Sequence, residues 1–443
     1  MTGGVHRATA NHFVLSEGDP MSHFGLICPE STGHLNTMLP LGQELQRRGH
    51  RVTLFGIRDA EVKALSAGLE YRAIGEPEFP AGAMAQALAH QGKLSGMAAF
   101  RSVITLIRDL EVVRLRDMPQ AIRDAHVTAL LVDQASPGGG EIADFLEIPF
   151  ISICSAVVLN QEDAIPPHFT NWRYNPACWA RVRNRMAYRL LNRLVEPIRA
   201  VVREQRRQWK LAPHAYPDDR YSQLAQISQQ PAELEFPRQQ LPPWFHFTGP
   251  YHSSAGRDSV FFPYEKLTGQ PLIYASMGTI QNRLIGIFRI IAKACLGLDA
   301  QLVIALGGGH DPESLPPLPG SPIVVGFAPQ LDLLPRAALA ITHAGMNTTL
   351  ECLANGVPMV AIPIANDQPG VAARIAWTGA GDVVLLRRLS VPRLRLVIKR
   401  VLSEDSYKRN ALRLQQAIHA PGGVRRAADI VEQVITTGRP VLA

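Results

Sequence analysis

The sequence predicts an α/β protein built from two Rossmann-like, doubly wound parallel-sheet domains, and three observations carry that expectation. Short apolar strands alternate with helix-length amphipathic stretches from residue 23 onward, the βαβ pattern of a parallel sheet. One local unit, an apolar strand followed by a small-residue turn and a helix start, occurs near residue 23 and again near residue 338. The chain has 443 residues, too many for one compact core and suited to two domains of about 200 residues each.

Hydrophobic residues make up 46% of the chain and charged residues 19%, a globular composition that excludes wholesale disorder. The longest weakly charged run, residues 148–160, is interrupted by Pro149 and is too short to span a bilayer. Residues 1–20 contain neither the apolar core nor the cleavage site of a secretory signal, and a disordered leader is expected there. Cys28, Cys154, Cys178, Cys295 and Cys352 are scattered without C-x-x-C spacing, as expected of reduced core residues in a cytoplasmic protein. The net charge of +7 is concentrated in residues 181–210, where ten basic residues face two acidic ones.

In the first domain, expected over residues 21–248, residues 23–28 form a strand and Pro29-Glu30-Ser31-Thr32-Gly33-His34 the loop after it. Leu35, Met38, Leu39, Gly42 and Leu45 fall at helical spacing, and Gly49 supplies the residue past the C-cap. Pro40 is tolerable only in a first turn, so the helix proper is placed from Thr37 to about Arg48. Residues 51–55 are the second strand. Ala129-Leu130-Leu131-Val132 is another, ending on Asp133, with a glycine-rich turn, a helix through Leu146 and a strand at 149–154 beyond it. His34 and Asp133 thus leave carboxyl ends of strands on one rim of one sheet, where ligands of open parallel sheets bind.

Residues 75–101 and 160–174 are insertions expected to wall a substrate pocket. Residues 186–210 form a basic amphipathic pattern with Leu190, Leu191, Leu194, Ile198, Val201 and Val202 as its apolar stripe and Pro197 as a candidate kink. One reading is a solvated outer helix packed on the sheet. The other is a membrane-surface helix that holds the protein against anionic lipid, peripheral to the membrane. No nucleic-acid motif accompanies the charge.

The turn-rich residues 249–263 are the expected linker, and the second domain is expected over 264–420. It opens with a strand at 272–276 and a small-residue turn, Ser276-Met277-Gly278-Thr279. Residues 322–327 lead into Phe327-Ala328-Pro329-Gln330. Residues 338–342 are a strand, His343-Ala344-Gly345 a tight turn, and Asn347, Thr348 and Thr349 open a helix that runs to Asn355. First-turn N–H groups lack intrahelical partners and carry the positive end of the dipole, so a diphosphate docks there, with His343, Asn347 and Thr348 as further donors. Glu351, one turn along from Asn347, can accept from ribose hydroxyls. Asp367 and Gln368 sit just past the next buried strand. Residues 421–443 hold a last amphipathic helix, with Ala427, Ala428, Ile430, Val431, Val434 and Ile435 on one face.

The segment from Phe327 to Gln368, with its spacing of His343, Asn347, Glu351, Asp367 and Gln368, resembles the donor signature of the family 1 UDP-dependent glycosyltransferases. Ser31-Thr32-Gly33-His34-Leu35-Asn36, Leu131-Val132-Asp133 and Ser276-Met277-Gly278-Thr279 are similar to further elements of that family, and the resemblance covers about residues 21–440. Within it, residues 157–172 look most like the bacterial carotenoid (zeaxanthin-type) members, and macrolide-type members share the pattern.

The resemblance implies a GT-B fold, with two domains facing across a cleft, the acceptor on the first and UDP-sugar on the second. It implies inverting transfer of a sugar, glucose above all, to a hydroxyl of a lipophilic small molecule that is carotenoid-, sterol-, macrolide- or polyphenol-like. His34 would be the base and Asp133 its support. Ser276, Gly278, Thr279, His343, Gly345, Asn347 and Thr348 would hold the diphosphate, Phe327 would stack on the base, Ala328 and Gln330 would belong to the same donor site, Glu351 would hold the ribose, and Asp367 and Gln368 the sugar. The last helix would return to the first domain.

Phe327 stands where plant members carry Trp, and Ala344-Gly345-Met346 where they carry Cys-Gly-Trp, which leaves uridine and thymidine both open. The chain has no Asp-x-Asp element and no cluster at metal-ligand spacing, so neither metal nor cofactor is expected. A nucleotide-sugar epimerase and a non-catalytic auxiliary partner of another glycosyltransferase are the alternatives.

Overall fold

The computed structural model describes residues 21–91, 96–251, 260–279, 285–308, 310–420 and 422–443. The expected leader, and residues 252–259 of the expected linker, lie outside them. Among the described residues, β1 (His23–Ile27), β2 (Arg51–Gly56), β3 (Glu70–Ala73), β4 (Ala129–Asp133), β5 (Phe150–Cys154), β6 (Gln226–Ser228) and β7 (Phe245–Phe247) form one sheet, in the order β3-β2-β1-β4-β5-β6-β7. A second sheet of β8 (Leu272–Ser276), β9 (Gln301–Ala305), β10 (Ile323–Val325), β11 (Ala337–Thr342), β12 (Met359–Ala361) and β13 (Gly381–Val383) has the order β10-β9-β8-β11-β12-β13.

Every strand pairing in both sheets is parallel. Helices cover both faces of such sheets, which is why β1, β4 and β8 are buried along their whole length and read as unbroken apolar runs. Strand order reverses beside β1 in the first sheet and beside β8 in the second, and each reversal opens a crevice at the carboxyl ends of the strands.

The first sheet packs on one face against the helix Thr32–Arg47 and the last helix, Gly423–Thr437. Met38, Leu41 and Leu45 of the former and Ala427, Ile430, Val431 and Val434 of the latter share one core. Arg48 Nη1 adds contacts of 2.7 Å to Asp429 and 2.6 Å to Glu432. The chain therefore leaves the second sheet and ends on the first, and Gly423 N donates to Thr248 O at 2.7 Å where it crosses.

One expectation fails here and another is met only in part. The first helix begins at Thr32, not Thr37, and carries Pro40 in its interior. An interior proline costs about 3 kcal/mol, but Leu35, Met38, Leu39, Leu41 and Leu45 are all buried along this helix, and five such side chains outweigh that cost at about 1.5–3 kcal/mol each. His34 consequently lies in a helical first turn and not in a loop. The basic segment is two helices, Cys178–Leu194 and Glu196–Gln208, with Pro197 in the first turn of the second. Of the six stripe residues only Leu190 is exposed; Ile198 and Val202 are buried, and Leu191, Leu194 and Val201 are half-buried.

The sheets are tied together by a buried ion pair. Arg374, on the helix Gln368–Thr378, donates to Glu235 Oε1 through Nε at 3.0 Å and Nη2 at 2.5 Å. Glu235 follows β6 of the first sheet. Gln230 Nε2 donates to its other oxygen at 2.8 Å, and the guanidinium lies 4.5 Å from the Phe236 ring centroid. Burial would raise the Glu235 pKa, but the charges of Arg374 and Arg238 prevail and hold it below the ordinary carboxylate value. Its stabilising contribution is therefore present above the ordinary carboxylate range and is lost as pH falls through the depressed value. Removing one member of a buried pair leaves an uncompensated charge and costs about 3–5 kcal/mol. Arg374→Met is expected to lose that much in urea unfolding at neutral pH, and Arg374→Met/Glu235→Gln to regain most of it.

Candidate active site

At the carboxyl edge of the first sheet, β1 leads directly into the helix that carries His34, and β4 ends on its neighbour Asp133. His34 Nδ1 lies 2.8 Å from Asp133 Oδ2 and 2.7 Å from Ser155 Oγ, the first residue past β5. The Ser155 hydroxyl donates to the same carboxylate oxygen, and Ala135 N donates to the other at 2.8 Å. The carboxylate accepts from each of these donors. Nδ1 therefore carries the proton, and the Nε2 lone pair is left for a substrate.

The His34 side chain is 21% exposed and Asp133 1%, so the ring opens on solvent above a dry support. Burial pulls the His34 pKa down, but the charge and hydrogen bond of Asp133, with the charge of Asp367, outweigh it and set it above the ordinary histidine value.

The second sheet's carboxyl edge brings together most of the remaining candidates. β8 and β11 are paired with Ser276 opposite Thr342, which places the turns Ser276–Thr279 and His343–Gly345 side by side. A Cβ on Gly278 or on Gly345 would come within 2.5 Å of His343 Nε2, and Gly278 has φ +73°. The ring is thus packed between two turns in which a side chain at 278 or 345 would meet it. Burial holds the His343 pKa down to about 4, against an opposing contact with the Ser276 backbone, so the imidazole is neutral. Its Nδ1 is buried and without a hydrogen-bond partner among the described residues.

Gly345 is the N-cap of the helix Met346–Ala354, where the first intrahelical donor is Thr349. The N–H groups of Met346, Asn347 and Thr348 form the positive end. Thr279 is exposed and Thr348 half-buried.

Three candidates are placed otherwise than their spacing suggests. The Asn347 amide donates to Gly33 O at 2.7 Å and accepts from Gln229 Nε2 at 2.8 Å, so it spans the cleft to the residue before His34. Gln330 donates to Glu351 and accepts from the Tyr274 hydroxyl at 3.0 Å, which joins two donor candidates in one chain of bonds. Gln368 Oε1 accepts from Ile364 N and Ala365 N at 2.8 and 3.0 Å, shaping the loop that presents Asp367.

The Phe327 ring is half-exposed and covers Gly308, and Ala328 packs on the core beneath it. Asp367 Oδ2 accepts from Val157 N of the first sheet's loops at 3.4 Å, and burial raises its pKa against the opposing pull of His34. A cleft of ≈ 650 Å³ opens beside it, lined by Phe169 and Trp172 from the first sheet's insertion and by Pro363, Pro369 and Leu386 from the second.

Ser155 and Gln229 were missed in the sequence. Each lies just past a short strand, a position that signals nothing unless β5 and β6 are known to lie beside β4. No group of three or more His, Cys, Asp or Glu side chains is placed to hold a metal ion among the described residues.

With this geometry in view, the comparisons with known proteins agree. The family model described as UDP-glucoronosyl and UDP-glucosyl transferase matches residues 26–425. A zeaxanthin glucosyltransferase of Pantoea ananas is 35% identical over 96% of this chain and 98% of its own, and one of Pseudescherichia vulneris is 30% identical over 95% and 100%. Among solved structures, the glycosyltransferase of kitacinnamycin superposes with a TM-score of 0.71 over 93% of this chain and 98% of its own, at 22% identity. A calicheamicin glycosyltransferase does so with 0.70 over 95% and 100%, at 21% identity; at these identities the likeness shows the GT-B fold. Two parallel sheets with opposed carboxyl edges, and a family match that spans both, lead to one conclusion: the chain belongs to the UDP-glucoronosyl and UDP-glucosyl transferase family and is a glycosyltransferase.

Proposed function

We propose that this protein is an inverting, cytoplasmic glucosyltransferase that moves glucose from UDP-glucose to a hydroxyl of a lipophilic small molecule. The observation that carries this reading is the bond from Asn347 to Gly33 O. It joins the first turn of the helix that would bind the diphosphate to the residue beside His34, so that base and leaving group face one gap.

In that gap His34 Nε2 accepts the proton of the acceptor hydroxyl as its oxygen attacks the anomeric carbon. The bond from that carbon to the β-phosphate oxygen breaks, and its electron pair stays with UDP. The Asp133 carboxylate stabilises the imidazolium that forms. The growing charge on the leaving diphosphate is met by the N–H groups of Met346–Thr348, by His343 and by Thr279. Asp367 and Gln368 are the groups for the sugar hydroxyls, Glu351 with Gln330 for the ribose, and Phe327 for the base, whose ring it stacks upon. A lipophilic acceptor is supported by Phe169, Trp172, Pro363, Pro369 and Leu386 in a cleft wall that also holds Thr170, Asn171 and Arg387, and by the names of the two zeaxanthin glucosyltransferases.

Incubation with UDP-glucose and a panel of hydroxylated carotenoids, sterols, macrolides and polyphenols should give acceptor-dependent UDP release and product one hexose heavier by mass spectrometry. UDP release without an acceptor product sinks the reading. His34→Ala should lower kcat by roughly 10²–10⁴-fold and leave the Kd for UDP-glucose within about twofold.

A neutral base is required, so kcat/KM should rise with pH through a midpoint above 6.5, the ordinary histidine value. Asp133→Asn removes the strongest influence raising that pKa and should move the rising limb to lower pH. Gly278→Ala, which forces a Cβ into His343 at positive φ, should weaken UDP binding at least ~tenfold by calorimetry, the effect of about 1.4 kcal/mol of strain or lost contact.

A further inference from the structure

The helix Cys178–Leu194 turns Ala180, Asn184 and Tyr188 inward. On the opposite side Trp179, Val182, Met186 and Leu190 are 58%, 54%, 64% and 55% exposed. Their spacing of three, four and four residues puts all four on one line, about 17 Å long at 1.5 Å per residue. Scattered exposed apolar residues need no explanation, but four in register on one helix face, one of them Trp, do.

Arg181, Arg185, Arg189 and Arg193 recur every fourth residue along one shoulder of that line, and all four are exposed. Arg185 is paired with Asp163 at 2.6 Å, and Arg181, Arg189 and Arg193 make no ion pair among the described residues. The far shoulder meets the mouth of the cleft: the Arg183 guanidinium lies 4.2 Å from the Trp172 ring centroid and 5.2 Å from that of Trp179, and Trp172 lines the 650 Å³ cleft.

We propose that this face docks on an anionic lipid bilayer, with Trp179, Val182, Met186 and Leu190 entering the headgroup–acyl boundary and the arginine row bound to lipid phosphates. The proposal deepens the lipophilic-acceptor reading and rests on it for its purpose, since docking in this orientation brings the Trp172 rim of the cleft to the surface from which an apolar acceptor is drawn. Charge decides the occupant. A stripe of four side chains is too narrow to cover a protein partner's core, whereas a bilayer accepts a shallow apolar insertion, and long arginines reach phosphates on either side of it. No helix among the described residues is long and apolar enough to cross a membrane, so the contact is an interfacial one.

The test is flotation of the full chain with phosphatidylcholine–phosphatidylglycerol vesicles and with phosphatidylcholine vesicles, at low and high salt. Two surface variants are compared, Trp179→Ser/Val182→Ser/Met186→Gln/Leu190→Gln and Arg181→Gln/Arg189→Gln/Arg193→Gln. The expected result is that wild type co-floats with the anionic vesicles only, that salt releases it, and that each variant binds at least ~tenfold less. UDP-glucose binding by both variants, measured by calorimetry, should match wild type and so show that they are folded.

Wild type that stays at the bottom of the gradient overturns the proposal, as does an apolar-stripe variant that floats like wild type. A wild-type dimer in sedimentation that the stripe variant dissolves, without flotation, assigns the face to a second copy instead. Flotation needs no turnover, so its failure leaves the transferase reading standing, and failure of the acceptor screen leaves the docking result standing.

Discussion

The orientation of one sheet against the other rests on a charged group that has nowhere else to go. Arg374 is 1% exposed, and a buried guanidinium must keep its carboxylate because water cannot replace it. Its partner Glu235 belongs to the first sheet's connections, and six residues before Arg374 the same helix begins at the loop of Asp367 and Gln368. The pair therefore sets the angle at which the proposed sugar-binding loop meets the edge that carries His34. Asn347 to Gly33 and Asp367 to Val157 are further bonds across the same cleft. Glycine at 370 allows the approach, since a Cβ there would lie 2.3 Å from His168 O.

The two histidines of the cleft show one residue type tuned in opposite directions. Both are desolvated, which disfavours the charged ring. His343 has no carboxylate to offset this and stays neutral in a crowded pocket. His34 has Asp133 behind it, itself anchored by Ser155 and Ala135 N, so the protonated ring is stabilised. The base proposed at His34 needs that asymmetry, whereas a group proposed only to bind an anion does not.

Most of the architecture and much of the cleft were legible in the chain, for a local reason. Parallel strands buried on both faces are unbroken apolar runs, helices have their own period, and a small-residue turn before a helix fixes where N–H groups are left over. His34, Asp133, His343 and Asn347 all stand at such junctions. Other parts were illegible because they depend on sums over distant contacts. Pro40 is a helix breaker until the burial of five neighbours is counted, and Leu190 belongs to a buried stripe until Pro197 splits the segment and lets the first helix turn about its own axis.

The sequence by itself determined the strands and helices on either side of the proposed site, the junctions that carry the polar groups, and the family, because each is set by residues within a turn or two of one another. Only the tertiary structure decided that Ser155 joins the His34–Asp133 pair, that Asn347 reaches across to Gly33, that Gln330 is bonded to Glu351, and that an apolar line faces outward beside the cleft. Those pairings depend on which strands lie next to each other and on the angle between two sheets, and no local pattern in the chain encodes either.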